Sequence, residues 1–270
     1  MYRNQVPMDD DGYGEIKLDL LGSWCLRRDG VVVHVATRQQ RLIAALAIKG
    51  PRLRNYLVGL LWPEYPDSKA LESLRVSVHL TSRQVQGLIV NEGRLLSLND
   101  QVDVDLNRIR AQARALGQAG FGAGAGSLLD ELRDAQLLPG WYEDWVVFEQ
   151  SHLQQDRLRI FTDIAARSLA LGDCGMAREA AEAAVGIEPL YENAVGLLIR
   201  AELQRGNPAA ALRAYERYRE QLQEDMGLMP AEPVRELLAA VLERQQNVVK
   251  ERLVPAGDSW LGGQPALNHS

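Results

Sequence analysis

Two glycine-led turns, Gly172-Asp173 and Gly206-Asn207, lie 34 residues apart in a stretch that reads as helical from Leu128 to about Gln246. A period of that length constrains the fold strongly, because a lone pair of helices cannot bury its apolar face and must stack on a neighbour. In the first unit Ala177 and Ala184 are small enough for two helices to press together, and Pro189 ends the repeat. In the second, Ala211 and Tyr215 match, while Tyr218 and Gln223 stand where a small residue and a proline are typical. The leading helix of each unit carries an equivalent apolar pair, Phe161 and Ile164, then Val195 and Leu198. Pro230 and Pro233 lead into VRELLAAVLERQQ, the start of a partial third pair.

Thirty-four residues is the tetratricopeptide period, so residues 128–246 are expected to form an all-α, tetratricopeptide-like domain. The N-terminal part obeys other rules. Ile16, Leu18 and Leu20 alternate, Asp29-Gly30 signals a turn, and Val31 to Val35 is rich in β-branched residues, which together predict a hairpin or small sheet. Thr37 and Gln40 make a capping-box pattern for a helix that stops at Gly50-Pro51. A short helix over about Asn55 to Leu61 is closed by Pro63 and Pro66. A third follows from an N-cap at Asp67 to Val85, with Leu71, Leu74, Val78, Thr81 and Val85 as its core stripe. Apolar runs flanking Asn91-Glu92-Gly93 read as a second hairpin, and Val102 to Leu106 alternates again.

Strands, three helices and a hairpin make a winged helix-turn-helix over residues 16–106. The fold class is therefore mainly α with small β elements. Residues 1–15 are expected to be a flexible acidic arm, 107–127 a helix and Gly-rich linker, and 247–270 a disordered tail. Gly120 to Gly126 is not a phosphate loop, since no Lys-Ser/Thr follows and no strand precedes it.

Charge separates the two halves. Across a chain of net charge −6, residues 27–94 hold 11 Arg/Lys against five Asp/Glu, whereas residues 107–270 hold 17 against 23. Only the first segment suits phosphates; the second suits protein contacts or self-packing. No apolar run spans a membrane and the polar, acidic N-terminus is no secretory signal, so a cytoplasmic, nucleoid-associated location is expected. Cys25 and Cys174 frame no disulfide fold, and four scattered histidines offer no metal-ligand spacing. With no nucleophile motif either, neither catalysis nor a cofactor is expected; Glu143-Asp144 reads as a solvated acidic edge.

The third helix turns Lys69, Glu72, Ser73, Val76, His79, Leu80 and Arg83 away from its core stripe, a mixed face suited to a DNA major groove. Lys69, Arg75 and Arg83 can meet phosphate or a guanine edge, with an internal pair as the other reading of Arg75. Ser73 and Ser77 can donate to phosphate, and Val76 and Leu80 can meet thymine methyls or pack on protein. His79 is a base reader or a plain surface residue. Arg94 suits a wing contact, and Arg38 and Arg41 open the first helix, where backbone N–H groups favour phosphate. The cluster Trp141, Tyr142, Trp145 and Phe148 is either a capping core for the first helix pair or a partner-binding anchor.

The segments LDLLGSWCLRRDGVVV, ATRQQRLIAALAIKG, YLVGLLWPEYPDSKALESLR and VDVDL together resemble the N-terminal domain of the Streptomyces antibiotic regulatory protein family. LLPGWYEDWVVFEQSHLQQDRLR, the repeats and YERYREQLQEDMGLMP resemble that family's bacterial transcriptional activation domain. The resemblance covers about residues 16–245. It implies an OmpR-type winged helix and a transcriptional activator that binds direct repeats in double-stranded promoter DNA, often as a homodimer. It also implies recruitment of RNA polymerase holoenzyme to genes of secondary metabolism, such as antibiotic biosynthesis. The family usually carries another basic residue near His79-Leu80-Thr81, where this chain has none until Arg83. The alternative function is a helical-repeat adaptor whose winged helix no longer binds DNA.

Overall fold

The fold is that of a computed structural model, which describes residues 14–118 and 124–239. It separates into two compact units, Met1–Ile160 and Phe161–Ser270. The acidic arm to residue 13 and the tail from 247 lie outside the described residues, as does 119–123 of the glycine run. Among the described residues no helix is long and apolar enough to cross a membrane, and no group of acidic, His or Cys side chains could hold a metal ion.

The first unit opens with β1 (Ile16–Asp19), β2 (Cys25–Arg28) and β3 (Val31–Val32). The turn between β2 and β3 is Asp29-Gly30, with φ of 49° and 79°. Both residues must be left-handed for a two-residue turn to match the strands' right-handed twist. Helix α1 (Thr37–Lys49) buries Leu42 through Ile48 and ends at Gly50, whose φ of 71° and N–H to Leu46 O (2.9 Å) close its last turn. β4 (Arg52–Leu53) leads directly into α2 (Arg54–Leu61), and α3 (Asp67–Gln84) follows. β5 (Ile89–Glu92) and β6 (Leu95–Leu98) form the wing, and β7 (Asp103–Val104) returns to pair in parallel with β1. The two sheets have strand orders β3-β2-β1-β7 and β4-β6-β5.

Two helix starts sit elsewhere than expected. The N-cap of α1 is Ala36, not Thr37, and the back-bonding side chain is Gln39, whose Oε1 accepts the Ala36 N–H (3.0 Å). Gln39 is drawn inward because its Nε2 also donates to Thr81 Oγ1 (3.4 Å) and Gln84 Oε1 (3.3 Å). On α3 the cap is Pro66, which needs no N–H partner; Asp67 is the first helical residue and contributes its charge to the positive helix end.

Helix α4 (Asp105–Gln118) starts at a buried carboxylate. Asp105 Oδ2 accepts the N–H groups of Leu20 and Leu21 (both 2.9 Å) and Oδ1 that of Leu106 (2.6 Å), so it clamps the end of β1 to α4. Burial pushes its carboxyl above the usual 3.8, against the pull of those three donors. α5 (Gly124–Arg133) already includes Gly124 and Gly126, so that end of the expected linker is helical. Arg157 caps the carbonyl end of α5, donating to Leu132 O (2.7 Å) and Arg133 O.

The segment after α5 is part of the winged-helix core. Leu138 N–H donates to Leu20 O and Gly22 N–H to Gln136 O, both at 2.8 Å, and Leu21 bridges Leu137. Leu137, Leu138, Trp145, Val146 and Leu153 join the cluster built by Leu18, Leu42, Leu57, Leu74 and Leu96. Each fully buried Leu contributes about 2 kcal/mol by area. Leu138 holds a left-handed φ of 44°, which costs on the order of 1 kcal/mol and is offset by this burial and its hydrogen bond.

Helix α6 (Asp144–Ala170) reaches into the second unit, which continues with α7 (Cys174–Ile187), α8 (Glu192–Gln204), α9 (Pro208–Met226) and helical residues 232–239. The two turns that set the 34-residue period have matching chemistry. Gly172 and Gly206 take φ of 80° and 73°, and the next side chains cap α7 and α9: Asp173 accepts Met176 N–H (3.0 Å) and Asn207 accepts Ala210 N–H (3.4 Å). Phe161, Ile164, Val195 and Leu198 are all buried. Ala177, Ala180, Ala181 and Ala184 are fully buried on α7, and α8 packs against both α7 and α9. Tyr218 fills space where a small residue was typical. Its phenol, buried beside Glu192, is pushed up to about 12.

Candidate nucleic-acid interface

Helix α3 lies across α1 and α2, with contacts to β5, and buries a wider arc than its apolar stripe alone predicts. Ala70, Ser73, Leu74, Ser77, Val78 and Thr81 are buried, and Leu71 is half-buried. At about 100° per residue these positions span close to half the helix circumference. Ser73 and Ser77 are therefore corrected as DNA contacts. Ser77 is fully buried and its Oγ donates to Ser73 O (2.8 Å), just as Thr81 Oγ1 donates to Ser77 O (2.8 Å). Small side chains there allow close approach of the packed helices, and back-bonding satisfies the hydroxyls of Ser77 and Thr81.

The outward arc carries Lys69, Glu72, Arg75, Val76, His79, Leu80 and Arg83, all exposed. Val76 and Leu80 keep 42% and 46% of their surface open between charged neighbours. Lys69 Nζ stands 4.5 Å from the centre of the Tyr65 ring. Arg75 and Arg83 are exposed and have no ion-pair partner among the described residues. The far end of α3 is fastened by the Gln39 amide and by Gln84, whose Nε2 donates to His34 O. These bonds fix the angle at which the outward arc is presented.

At the wing, Gly93 (φ 67°) and Arg94 form a two-residue turn between Glu92 and Leu95. Arg94 is exposed with no ion-pair partner among the described residues. Its neighbour Arg54 is a residue the sequence pattern did not single out. It donates from Nε to Gly93 O (2.8 Å), from Nη2 to Asn91 Oδ1 (3.0 Å) and from its backbone to Arg94 O (2.9 Å). No local spacing links Arg54 to residues 37 to 40 positions further on.

The two arginines that open α1 part company. Arg38 is exposed on the rim of an open cleft of about 520 Å³ whose walls include Thr37, Trp62 and Tyr65. Arg41 is instead engaged internally: Nε lies 2.9 Å from Glu143 Oε1, and Nη2 donates to Leu61 O (2.9 Å). Its charge is matched within the protein, which corrects the reading of Arg41 as an open phosphate contact. It also shows Glu143 to be a structural partner and not a solvated edge.

The aromatic cluster also divides. Trp145 is 8% exposed in the winged-helix core and Trp141 packs against it, so neither is a surface anchor. The core they complete is that of the first unit, not a cap on the repeats. Tyr142 is 85% exposed and Phe148 57%, with His152 edge-on to the Phe148 ring at 4.2 Å.

The profile of the family described as bacterial transcriptional activator domain matches residues 98–242. Regulatory protein AfsR of Streptomyces coelicolor is 26% identical over 253 residues, covering 89% of this chain and 26% of the relative. Transcriptional regulatory protein EmbR of Mycobacterium tuberculosis is 26% identical over 260 residues, covering 86% of this chain and 65% of the relative. MoaR1 of the same species is 22% identical, covering 86% and 80%. The chain thus spans about a quarter of AfsR and 65% of EmbR. A solved structure of Mycobacterium tuberculosis EmbR in complex with low affinity phosphopeptide has the same fold, with a TM-score of 0.66 at 22% identity over 90% of this chain and 73% of that one.

Proposed function

The chain belongs to the bacterial transcriptional activator domain family and is a transcriptional activator of the Streptomyces antibiotic regulatory protein type; from that premise we propose that it binds promoter DNA sequence-specifically through α3. Its family makes it a regulator and not an enzyme. The observation that carries the reading is the outward arc of α3. Arg75 and Arg83 have no ion-pair partner there among the described residues, and Val76 and Leu80 are exposed to solvent. Arginine gives bidentate bonds to guanine, and an apolar side chain meets the thymine methyl. Arg38 and Arg94 flank the arc and hold the duplex through phosphates, each adding to the salt dependence of binding.

In this reading the target is a direct repeat occupied by two copies of the chain, in promoters of secondary-metabolite genes. The second unit is a tetratricopeptide-like body that contacts RNA polymerase holoenzyme, with Tyr142 and Phe148 of the first unit as exposed aromatic contacts. Support for a protein-facing second unit comes from its acidic balance, which repels DNA.

Fluorescence anisotropy with the upstream promoter region of the chain's own gene, at two salt concentrations, tests the proposal. Sequence-dependent binding that weakens steeply with salt is expected. Folded protein that shows no sequence dependence at low salt overturns it and leaves the adaptor function.

A further inference from the structure

We propose that Arg54 is the positioning residue of the wing: it fixes the Gly93-Arg94 turn so that Arg94 meets the DNA backbone, and it presents its own unneutralised charge beside it. The inference rests on the DNA-binding reading and adds to it a residue outside the recognition helix.

Arg54 stands where helix stability alone would not place it. It is the first residue of α2, whose first turn holds no acidic side chain and whose N-cap, Leu53, makes no side-chain cap. A cation at the positive end of a helix dipole is unfavourable. What Arg54 does there is reach the wing. Its fork holds Gly93 O in the turn and Asn91 Oδ1 on the strand that leads into it, while its backbone N–H donates to Arg94 O. β4 continues this clamp, pairing Arg52 with Leu96 and Leu53 with Leu95. One side chain therefore spans the base of α2 and the tip of the hairpin.

The guanidinium's acceptors are one carbonyl and one amide oxygen, so its charge is not cancelled, and no carboxylate pairs with it among the described residues. With Arg52 and Arg94 it makes a cationic corner whose nearest acid in sequence is Glu92, exposed in the wing itself. Guanidinium suits this double task, because it has five N–H donors in a fixed fork and the protein uses two. Lysine keeps the charge but cannot hold both acceptors in that geometry.

The test is a double-variant cycle on the full chain with promoter DNA, joined to amide hydrogen exchange of the free protein. Arg54→Met is expected to weaken binding about tenfold in the wild-type background and only about threefold, the share of its own charge, once Arg94→Ala is present, the coupling of two residues in one assembly. Arg54→Lys, which keeps the charge but not the fork, is expected to bind more weakly than wild type and more tightly than Arg54→Met. In the free protein, exchange at Glu92 and Leu95, the ladder pair that closes the wing turn, should quicken in both Arg54 variants while α1 and α3 stay protected. Multiplicative losses for Arg54→Met and Arg94→Ala, or an Arg54→Lys variant that binds like wild type, overturn the positioning role. Exchange at the wing turn that Arg54→Met leaves unchanged does the same, with or without DNA. A wild-type chain that binds no DNA overturns the parent reading instead, and that outcome is separate from either of these.

Discussion

Lys49 Nζ lies 2.5 Å from Glu149 Oε1, with only 15% and 10% of the two side chains exposed. The pair ties the last residue of α1 to the first turns of α6, and Arg41 with Glu143 repeats the tie at the other end of α1. The helix that supports α3 is thus held at both ends by the segment that follows the winged helix in sequence.

Removing one partner leaves the other charge enclosed. Lys49→Ala is expected to lower stability by about 3 kcal/mol, and Lys49→Met with Glu149→Leu to recover most of it, because an apolar pair of similar volume has no desolvation cost. Urea denaturation of both variants checks this. A loss below about 0.5 kcal/mol in Lys49→Ala, the range of ordinary surface changes, contradicts it.

Asp105 is the second stability test. Asp105→Ala strips three backbone N–H groups of their acceptor and is expected to cost about 2 kcal/mol. The carboxyl also makes a pH signature. Its folded value lies above the ordinary 3.8, so the folded state holds the proton more tightly. The contribution is therefore present below the ordinary value and lost as pH rises through the raised one. Stability of wild type relative to Asp105→Asn should fall across that window, and a difference that rises instead contradicts the burial argument.

Tyr218 supplies the alkaline counterpart. Its phenol sits near 12 in the folded chain against an ordinary 10, so unfolding releases a proton between those values. Stability should fall from pH 10 to 12, and less so in Tyr218→Phe. Ultraviolet titration of the folded protein should lose a component near 12 in that variant.

The two faces of α3 predict opposite outcomes. Ser77→Ala removes a buried hydroxyl that donates to the helix's own backbone, so promoter affinity should be unchanged. Lys69→Ala with Arg83→Ala should weaken binding and flatten its salt dependence, with thermal stability nearly unchanged. Gel-shift titrations over a salt series separate the two, and equal effects would place the wrong arc against DNA.

What could be read from the chain was local. Asp29-Gly30, Gly50, Gly172 and Gly206 announce turns because left-handed backbone is a property of a few residue types. The buried stripe of Leu74, Val78, Thr81 and Val85 follows from period alone. Ser73 and Ser77 did not, because a small hydroxyl suits either side of a helix once its own backbone accepts its proton. Nor did Arg41 with Glu143, Lys49 with Glu149, or Trp145 in the winged-helix core, since partners about 100 residues apart share no spacing rule. Arg54 was missed for the same reason.

Base reading by the outward arc of α3 is open to direct selection. Selection from a random duplex library by the full chain, beside Val76→Ser with Leu80→Ser, tests it most directly. Wild type is expected to enrich a motif repeated head to tail, and the variant to lose its thymine preference within that motif while keeping the salt dependence of binding. Enrichment of the same motif by both proteins, or of none by folded wild type, contradicts it.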